Sequence, residues 1–260
     1  MSPAPSELDE IPFYYDDMAG FENRIVYYES SRGCPFSCSY CLSSVDKRLR
    51  FRDIELVKKE LQFFLDHNVP QVKFVDRTFN CKHDHSIAIW KYIMEHDNGI
   101  TNFHFEIAAD ILNEEEMELL EQMRPGLVQL EIGVQSTNPK TIKEIHRVMD
   151  FEKVSKIVRR IQDKGNVHEH LDLIAGLPGD TPAGSSGLPG AVAALAPENI
   201  TVHTLALKKA QISINIRSGC PTPRPWEMIR FSQDYLRRQG YRPYYLYRQK
   251  YMSGSFENVG

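Results

Sequence analysis

The sequence predicts an α/β fold built on a parallel sheet, and three observations carry that reading. Short apolar runs alternate with amphipathic stretches six times between residues 24 and 207, a βα rhythm that implies helical crossovers between parallel strands. The 260 residues, 42% apolar and 25% charged, suit one domain or one domain with a small appendage. A cysteine-bearing loop follows the first strand, and in parallel βα barrels the active site lies at the carboxyl ends of the strands. Periodicity alone leaves two layouts standing, a curved, incomplete (β/α)6 barrel and an open doubly wound sheet.

Each element has its own local reason. Residues 24–30 read as the first strand, with the cysteine loop after it. Asp53 is placed to cap a helix on which Ile54, Val57, Leu61, Phe64 and Leu65 recur at helical spacing. Residues 71–75 form the second strand, and a second helix over 86–97 stops at Asn98-Gly99. Residues 102–107 form the third strand. Asn113 then caps a helix whose first turn, Glu114-Glu115-Glu116, suits the positive helix end. Residues 127–132 give strand four, 138–165 one or two helices, 169–174 strand five and 199–205 strand six. Residues 181–190 hold three glycines and two prolines, at roughly 1 kcal/mol per glycine and 3 per proline in a helix, so helix is disfavoured there. Only 191–196 is left to form a turn or two. The expected organisation is an extension over 1–23, a sheet domain over 24–207 with a Gly/Pro-rich break at 181–197, and a basic, aromatic segment over 208–260.

Composition excludes some functions. The formal net charge of −4 argues against a dedicated nucleic-acid binder, because phosphate contacts need a basic face. No apolar run approaches the 18 or so residues of a membrane span. The start, Ser2-Pro3-Ala4-Pro5-Ser6-Glu7, has no signal-peptide character, and free cysteines suit a reducing, cytoplasmic setting.

The most specific signal is Cys34-Pro35-Phe36-Ser37-Cys38-Ser39-Tyr40-Cys41. Thiolates at this C-x3-C-x2-C spacing can hold three irons of a [4Fe–4S] cube, whose usual ligand set is four cysteines, and the fourth iron stays open for chemistry. A structural zinc site would need a fourth ligand and usually a second C-x2-C pair, while Cys81 and Cys220 stand alone. An odd count of five cysteines does not suggest a disulfide framework. Cys81-Lys82-His83-Asp84-His85 looks like a metal-binding run. As a strand-end loop it would put His83 and His85 on one side, yet three mixed ligands make a poor zinc or iron site, and an ordinary polar loop is the preferred reading.

Glu29-Ser30-Ser31-Arg32-Gly33-Cys34 through Cys41, with Tyr40 before the last cysteine, resembles the radical S-adenosylmethionine (SAM) superfamily. The resemblance decides the fold in favour of a partial (β/α)6 TIM-like barrel. It implies a [4Fe–4S] cluster on Cys34, Cys38 and Cys41 and SAM chelating the open iron. It further implies reductive cleavage of SAM to a 5′-deoxyadenosyl radical that abstracts hydrogen from a small-molecule substrate. An electron donor such as a flavodoxin or ferredoxin follows from the same resemblance.

Within the superfamily, residues 11–175 look like the radical SAM half of cobalamin-binding proteins, through Phe74-Val75-Asp76-Arg77-Thr78-Phe79-Asn80 and Glu131-Ile132-Gly133-Val134-Gln135-Ser136. Those relatives carry a cobalamin domain upstream, for which residues 1–23 leave no evident room. Residues 198–260 look instead like oxygen-independent coproporphyrinogen III dehydrogenases, through residues 199–208, 243–250 and 255–260. Asp172-Leu173-Ile174-Ala175-Gly176-Leu177-Pro178-Gly179-Asp180-Thr181 is shared by both groups. The dehydrogenases' segment after Lys208 is longer and their chain continues, so the domain enclosing the porphyrinogen is expected to be largely absent.

By resemblance, Tyr40 flanks the adenine, Asp76 accepts from the SAM amino group with Thr78 beside it, and Glu106 is a further SAM-contacting carboxylate. Gln135 closes the strand-four motif, Arg147 matches the arginine for the SAM carboxylate, Asp172 the ribose-binding aspartate and Ile174 an adenine contact. For each, a solvated or core-edge side chain is the competing reading. Arg237, Arg238, Arg242, Tyr244, Tyr245, Tyr247, Arg248 and Lys250 offer either a seat for an anionic planar substrate such as a tetrapyrrole or a solvated terminal strand. Three functions follow: a radical SAM enzyme of open substrate, a coproporphyrinogen III dehydrogenase, and a cluster-binding scaffold without turnover.

Overall fold

The structure, a computed structural model, describes residues 7–22, 24–180, 188–206, 225–244, 246–247 and 258–259. It divides into two compact units, one of residues 1–35, 48–131 and 160–168, the other of residues 36–47, 132–159 and 169–260.

In the first unit, β1 (Val26–Tyr28) is followed by a small antiparallel ladder of β2 (Ser31–Arg32) with β3 (Arg50–Phe51). Then come α1 (Ile54–Asp66), β4 (Gln71–Phe74), α2 (His83–Glu95), β5 (Asn102–Ile107) and α3 (Glu114–Gln122). Strands β1, β4 and β5 are parallel neighbours, with Tyr27 beside Lys73 and Lys73 beside His104. Alternation puts Val26, Tyr28, Val72, Phe74, Phe103 and Phe105 on one face, all buried. The rings of Phe74 and Phe105 lie 4.5 Å apart and those of Phe79 and Phe105 4.3 Å apart, so the core under α1 and α2 is largely aromatic. Both anticipated caps form: Asp53 accepts from the amides of Glu55 and Leu56, and Asn113 and Glu116 make a reciprocal capping box.

Next along the chain come β6 (Val128–Gln135), α4 (Pro139–Glu144), α5 (Phe151–Lys164), β7 (His168–Ala175), α6 (Leu188–Ala193), β8 (Asn199–Thr204) and α7 (Pro225–Arg238), with residues 132–159 and 169 onward in the second unit. Strands β7 and β8 are parallel, from His170 beside Asn199 to Ala175 beside Thr204. β9 (Leu246–Tyr247) and β10 (Asn258–Val259) close the order β8-β10-β9, antiparallel to each neighbour.

Several expectations need correction. The first strand stops at Tyr28, because the polar groups of Ser30 turn toward Asp76 instead of continuing the ladder. The second helix begins at His83, so Cys81-Lys82-His83-Asp84-His85 is a 3-10 turn and a first helical turn rather than an extended loop. Two residues apart on a helix, His83 and His85 diverge: His83 meets Glu116 and His85 meets Ser30. Helix α6 includes Pro189 and Gly190, with Pro189 in the first turn, where its missing N–H costs nothing. Helix α7 was not anticipated, although Pro225 at its start and buried Met228, Ile229, Ser232 and Leu236 follow a helical rhythm. Residues 181–187, Cys220, Tyr245, Arg248 and Lys250 lie outside the described residues.

Candidate active site

In the first unit, the loop after β1 is rooted by hydrogen bonds. Asp76, fully buried just beyond β4, accepts from the Ser30 amide at 2.8 Å and from the Ser30 and Ser31 hydroxyls at 2.6 Å each. Burial pushes its carboxyl up to about 6, with those hydrogen bonds pulling the other way. Three of this carboxylate's four or so acceptor sites are thus taken by the loop root. Gly33, at φ 99°, makes the turn into Cys34 in a conformation other residues resist. The Cys34 sulfur sits 3.7 Å from the Thr78 hydroxyl, so Asp76 and Thr78 hold the loop root and the first cysteine from one short segment. The Glu106 side chain shares its strand face with His104, opposite the aromatic core.

That same face carries a polar row that sequence reasoning passed over. Glu131 on β6 accepts from Lys73 Nζ at 2.7 Å and lies 2.9 Å from His104 Nε2, which holds its carboxyl well below the usual range despite burial. Tyr27, beside Lys73 in register, is 55% exposed. The only sequence signal was alternation: polar residues, Lys73, His104 and Glu131 among them, at alternate positions of three apolar strands.

In the second unit, five of the anticipated residues converge. The Arg147 guanidinium donates to the Gly133 carbonyl at the end of β6, reaches Tyr40 Oη at 3.3 Å and stands 4.0 Å from the Cys38 sulfur. The amide of Ser39 donates to the Ile145 carbonyl at 2.9 Å. Burial raises the Tyr40 phenol's pKa, with Arg147 opposing. Tyr40 and Ile174 pack on the same apolar cluster of Ile145, Leu177 and Leu205. Gln135 ends β6 at φ 68°, a left-handed conformation that costs a non-glycine residue about 1–3 kcal/mol. Its buried Oε1 has no hydrogen-bond partner among the described residues. A Cβ at Gly133 would strike the Gln135 amide and come within 3.4 Å of Arg147, so any other residue there would displace the Gln135 side chain.

Asp172 faces two imidazoles, His203 Nε2 at 3.3 Å and His170 Nε2 at 3.6 Å. Asp180 was not anticipated as a site residue. Buried at the end of the shared segment, it accepts from Thr141 at 2.5 Å and from Ser136 at 3.4 Å, tying the exit of β6 to α4. A cavity of about 350 Å³ between β8 and α7, lined by Ile200, Ile229 and Leu236, lies toward the amino-terminal end of β8. Chemistry in parallel βα folds sits at the other strand end.

Residues 28–184 match the family described as the Radical SAM superfamily. A curated relative, the oxygen-independent coproporphyrinogen-III oxidase-like protein HemZ of Bacillus subtilis (strain 168), is 30% identical over 154 residues, covering 58% of this chain and 30% of that protein. The 2-(S-pantetheinyl)-carbapenam-3-carboxylate methyltransferase of Streptantibioticus cattleyicolor is 27% identical over 161 residues, 60% of this chain and 24% of that one. The chain thus spans under a third of the length of these two relatives. Among solved structures, coproporphyrinogen III oxidase (HemN) from Escherichia coli superposes with a TM-score of 0.64 at 19% identity, over 84% of this chain and 53% of that one. That likeness shows the fold, six parallel strands alternating with helices as in the radical SAM partial barrel.

Proposed function

Because the chain belongs to the radical SAM superfamily, with the [4Fe–4S] cluster and SAM that membership implies, we propose that Cys34, Cys38 and Cys41 hold the cluster and that the Arg147 end of the second unit receives SAM. The observation that carries this reading is the reach of one guanidinium to Cys38, Tyr40 and the Gly133 carbonyl. A planar cation fixed beside a cluster thiolate suits a ligand carboxylate better than a mobile lysine would. The orphaned Gln135 Oε1 fits a ligand bearing donors, and SAM brings an ammonium and ribose hydroxyls. Tyr40 and Ile174 supply an apolar wall suited to adenine, and Asp172 an acceptor suited to a ribose diol.

Bound there, the cluster and SAM supply one-electron cleavage of a carbon–sulfur bond and a carbon radical able to take a hydrogen atom. The chain's own part is to bind, orient and keep water out. Thr78 places a hydroxyl at Cys34, and Asp180 keeps the β6 exit fixed against α4.

For the substrate, the reading best supported is a tetrapyrrole, with oxidative decarboxylation of coproporphyrinogen III as the specific reaction. It rests on the likeness to HemZ. The row of Tyr27, Lys73, His104 and Glu131 offers a ring and charged groups on one strand face, which suits a flat, carboxylated molecule. Methyl transfer is the second reading, supported by the carbapenam methyltransferase. Anaerobic incubation of the reconstituted protein with SAM, dithionite and coproporphyrinogen III tests the first. Loss of CO2 from the propionates is expected, and SAM cleavage without any change in the tetrapyrrole would refute that substrate.

A further inference from the structure

Asp76 is tied to the root of the cysteine loop by three hydrogen bonds. Its Oδ1 accepts from the Ser30 amide, and its Oδ2 from two hydroxyls at 2.6 Å, those of Ser30 and Ser31. The proton order of this network is fixed. A serine hydroxyl has one hydrogen, and that of Ser30 is given to Asp76, so the Ser30 oxygen accepts from His85 Nε2 at 3.1 Å. His85 is therefore the Nε2–H tautomer, braced edge-on by the ring of Phe51 at 5.1 Å. From the other side, the Arg52 amide donates to the Ser30 carbonyl at 2.9 Å, and Ser31 pairs with Phe51 in the β2–β3 ladder.

We propose that Asp76 is the positioning residue of the cluster loop: through Ser30 and Ser31, with His85 setting the direction of the chain, it fixes where the Cys34 thiolate stands. The strand end that carries Asp76 also carries Thr78, whose hydroxyl meets the Cys34 sulfur. One rigid segment thus grips the loop at its root and at its first ligand. Preorganised ligands bind a cluster in one geometry, whereas a loop freed at its root samples several. Ordering Ser30 and Ser31 by a buried carboxylate is worth this arrangement only if the loop's place matters, since a buried carboxylate is costly in itself.

The inference rests on the reading that Cys34, Cys38 and Cys41 hold the cluster, and the experiment separates the two. Asp76→Asn, Ser31→Ala and a control, Glu116→Gln, are reconstituted anaerobically beside the wild type. Glu116 is an equally buried carboxylate, hydrogen-bonded to His83, Ser86 and Asn113. Iron and sulfide per chain, and the change that SAM makes in the electron paramagnetic resonance spectrum of the reduced cluster, are the readouts. Asp76→Asn should lose at least threefold in cluster content or in the SAM-induced spectral change, and Glu116→Gln should lose neither, with both variants compared at matched melting temperature. Ser31→Ala, which keeps the carboxylate, should load normally and show a broadened SAM-induced signal. Should Asp76→Asn fail to fold, Ser31→Ala alone decides, and a wild-type spectrum from it overturns the proposal. So would a wild-type result from Asp76→Asn, or equal losses in Asp76→Asn and Glu116→Gln. A wild-type protein that takes up no cluster would remove the underlying reading as well.

Discussion

Arg147 is the residue on which the candidate site turns, because its guanidinium meets a cysteine, a tyrosine and a strand-end carbonyl at once. Lysine cannot copy that fork. Arg147→Lys should weaken SAM binding by about tenfold, roughly 1.4 kcal/mol, in equilibrium dialysis of the cluster-loaded protein, while iron content stays unchanged. His85 carries a second prediction, of stability against pH. Burial lowers its imidazole to about 4, whereas the unfolded chain takes up that proton near 6.5. Between those values the unfolded state binds more protons, so this group's support for the fold drains away as pH falls, by up to about 3 kcal/mol. Asp76, raised to about 6, works in the opposite direction between 3.8 and 6 and offsets part of it. The gap in melting temperature between wild type and His85→Gln should therefore narrow from pH 7 to pH 5, and a constant gap would contradict the assignment. At this scale the sequence was a mixed guide. The cysteine spacing is a local pattern, whereas Tyr40, Arg147 and Ile174 came only from the resemblance; the structure places these three in one unit, and their roles stay proposals. The partners of Asp76 lie 45 and 46 positions away, a separation no local pattern encodes.

Elements were legible where their signals are local. Both helix caps appear as read, because an Asp or Asn side chain and the two or three amides after it are neighbours in sequence. Asn113→Ala should cost about 1 kcal/mol in urea unfolding, since it removes the side-chain acceptor for the Glu116 amide while the backbone amide at 113 still donates to Glu116. An unchanged unfolding midpoint would show that the capping box contributes nothing. Strand limits were less legible. β6 runs on to Gln135, past the expected end at Ile132, because its alternation continues: Val134 is buried, with Gly133 and Gln135 on the other face. Helix α2 begins three residues early because His83 and Ser86 are held by Glu116 on α3, a contact between elements rather than within one. Helix α7 is hard to read locally because Arg230, Gln233, Asp234 and Arg237 interrupt its buried positions Met228, Ile229, Ser232 and Leu236.

At the scale of the whole molecule, βα alternation gave the parallel sheet, but whether it curls into a partial barrel was beyond periodicity, and superposition on HemN decides that. No described helix is long and apolar enough to cross a membrane. Many activities share one fold, so function is tested at the cysteine loop rather than read from the sheet. Substitution of Cys34, Cys38 or Cys41 by Ala should each reduce iron after anaerobic reconstitution to well under four per chain, whereas Cys81→Ala, outside the motif, should leave it unchanged. The most direct measurement is the yield of 5′-deoxyadenosine and methionine from SAM after dithionite reduction of the fully loaded protein. The account predicts both products in equal amounts from the wild type and neither from Cys41→Ala. A complete, reduced four-iron cluster that leaves SAM intact would contradict it.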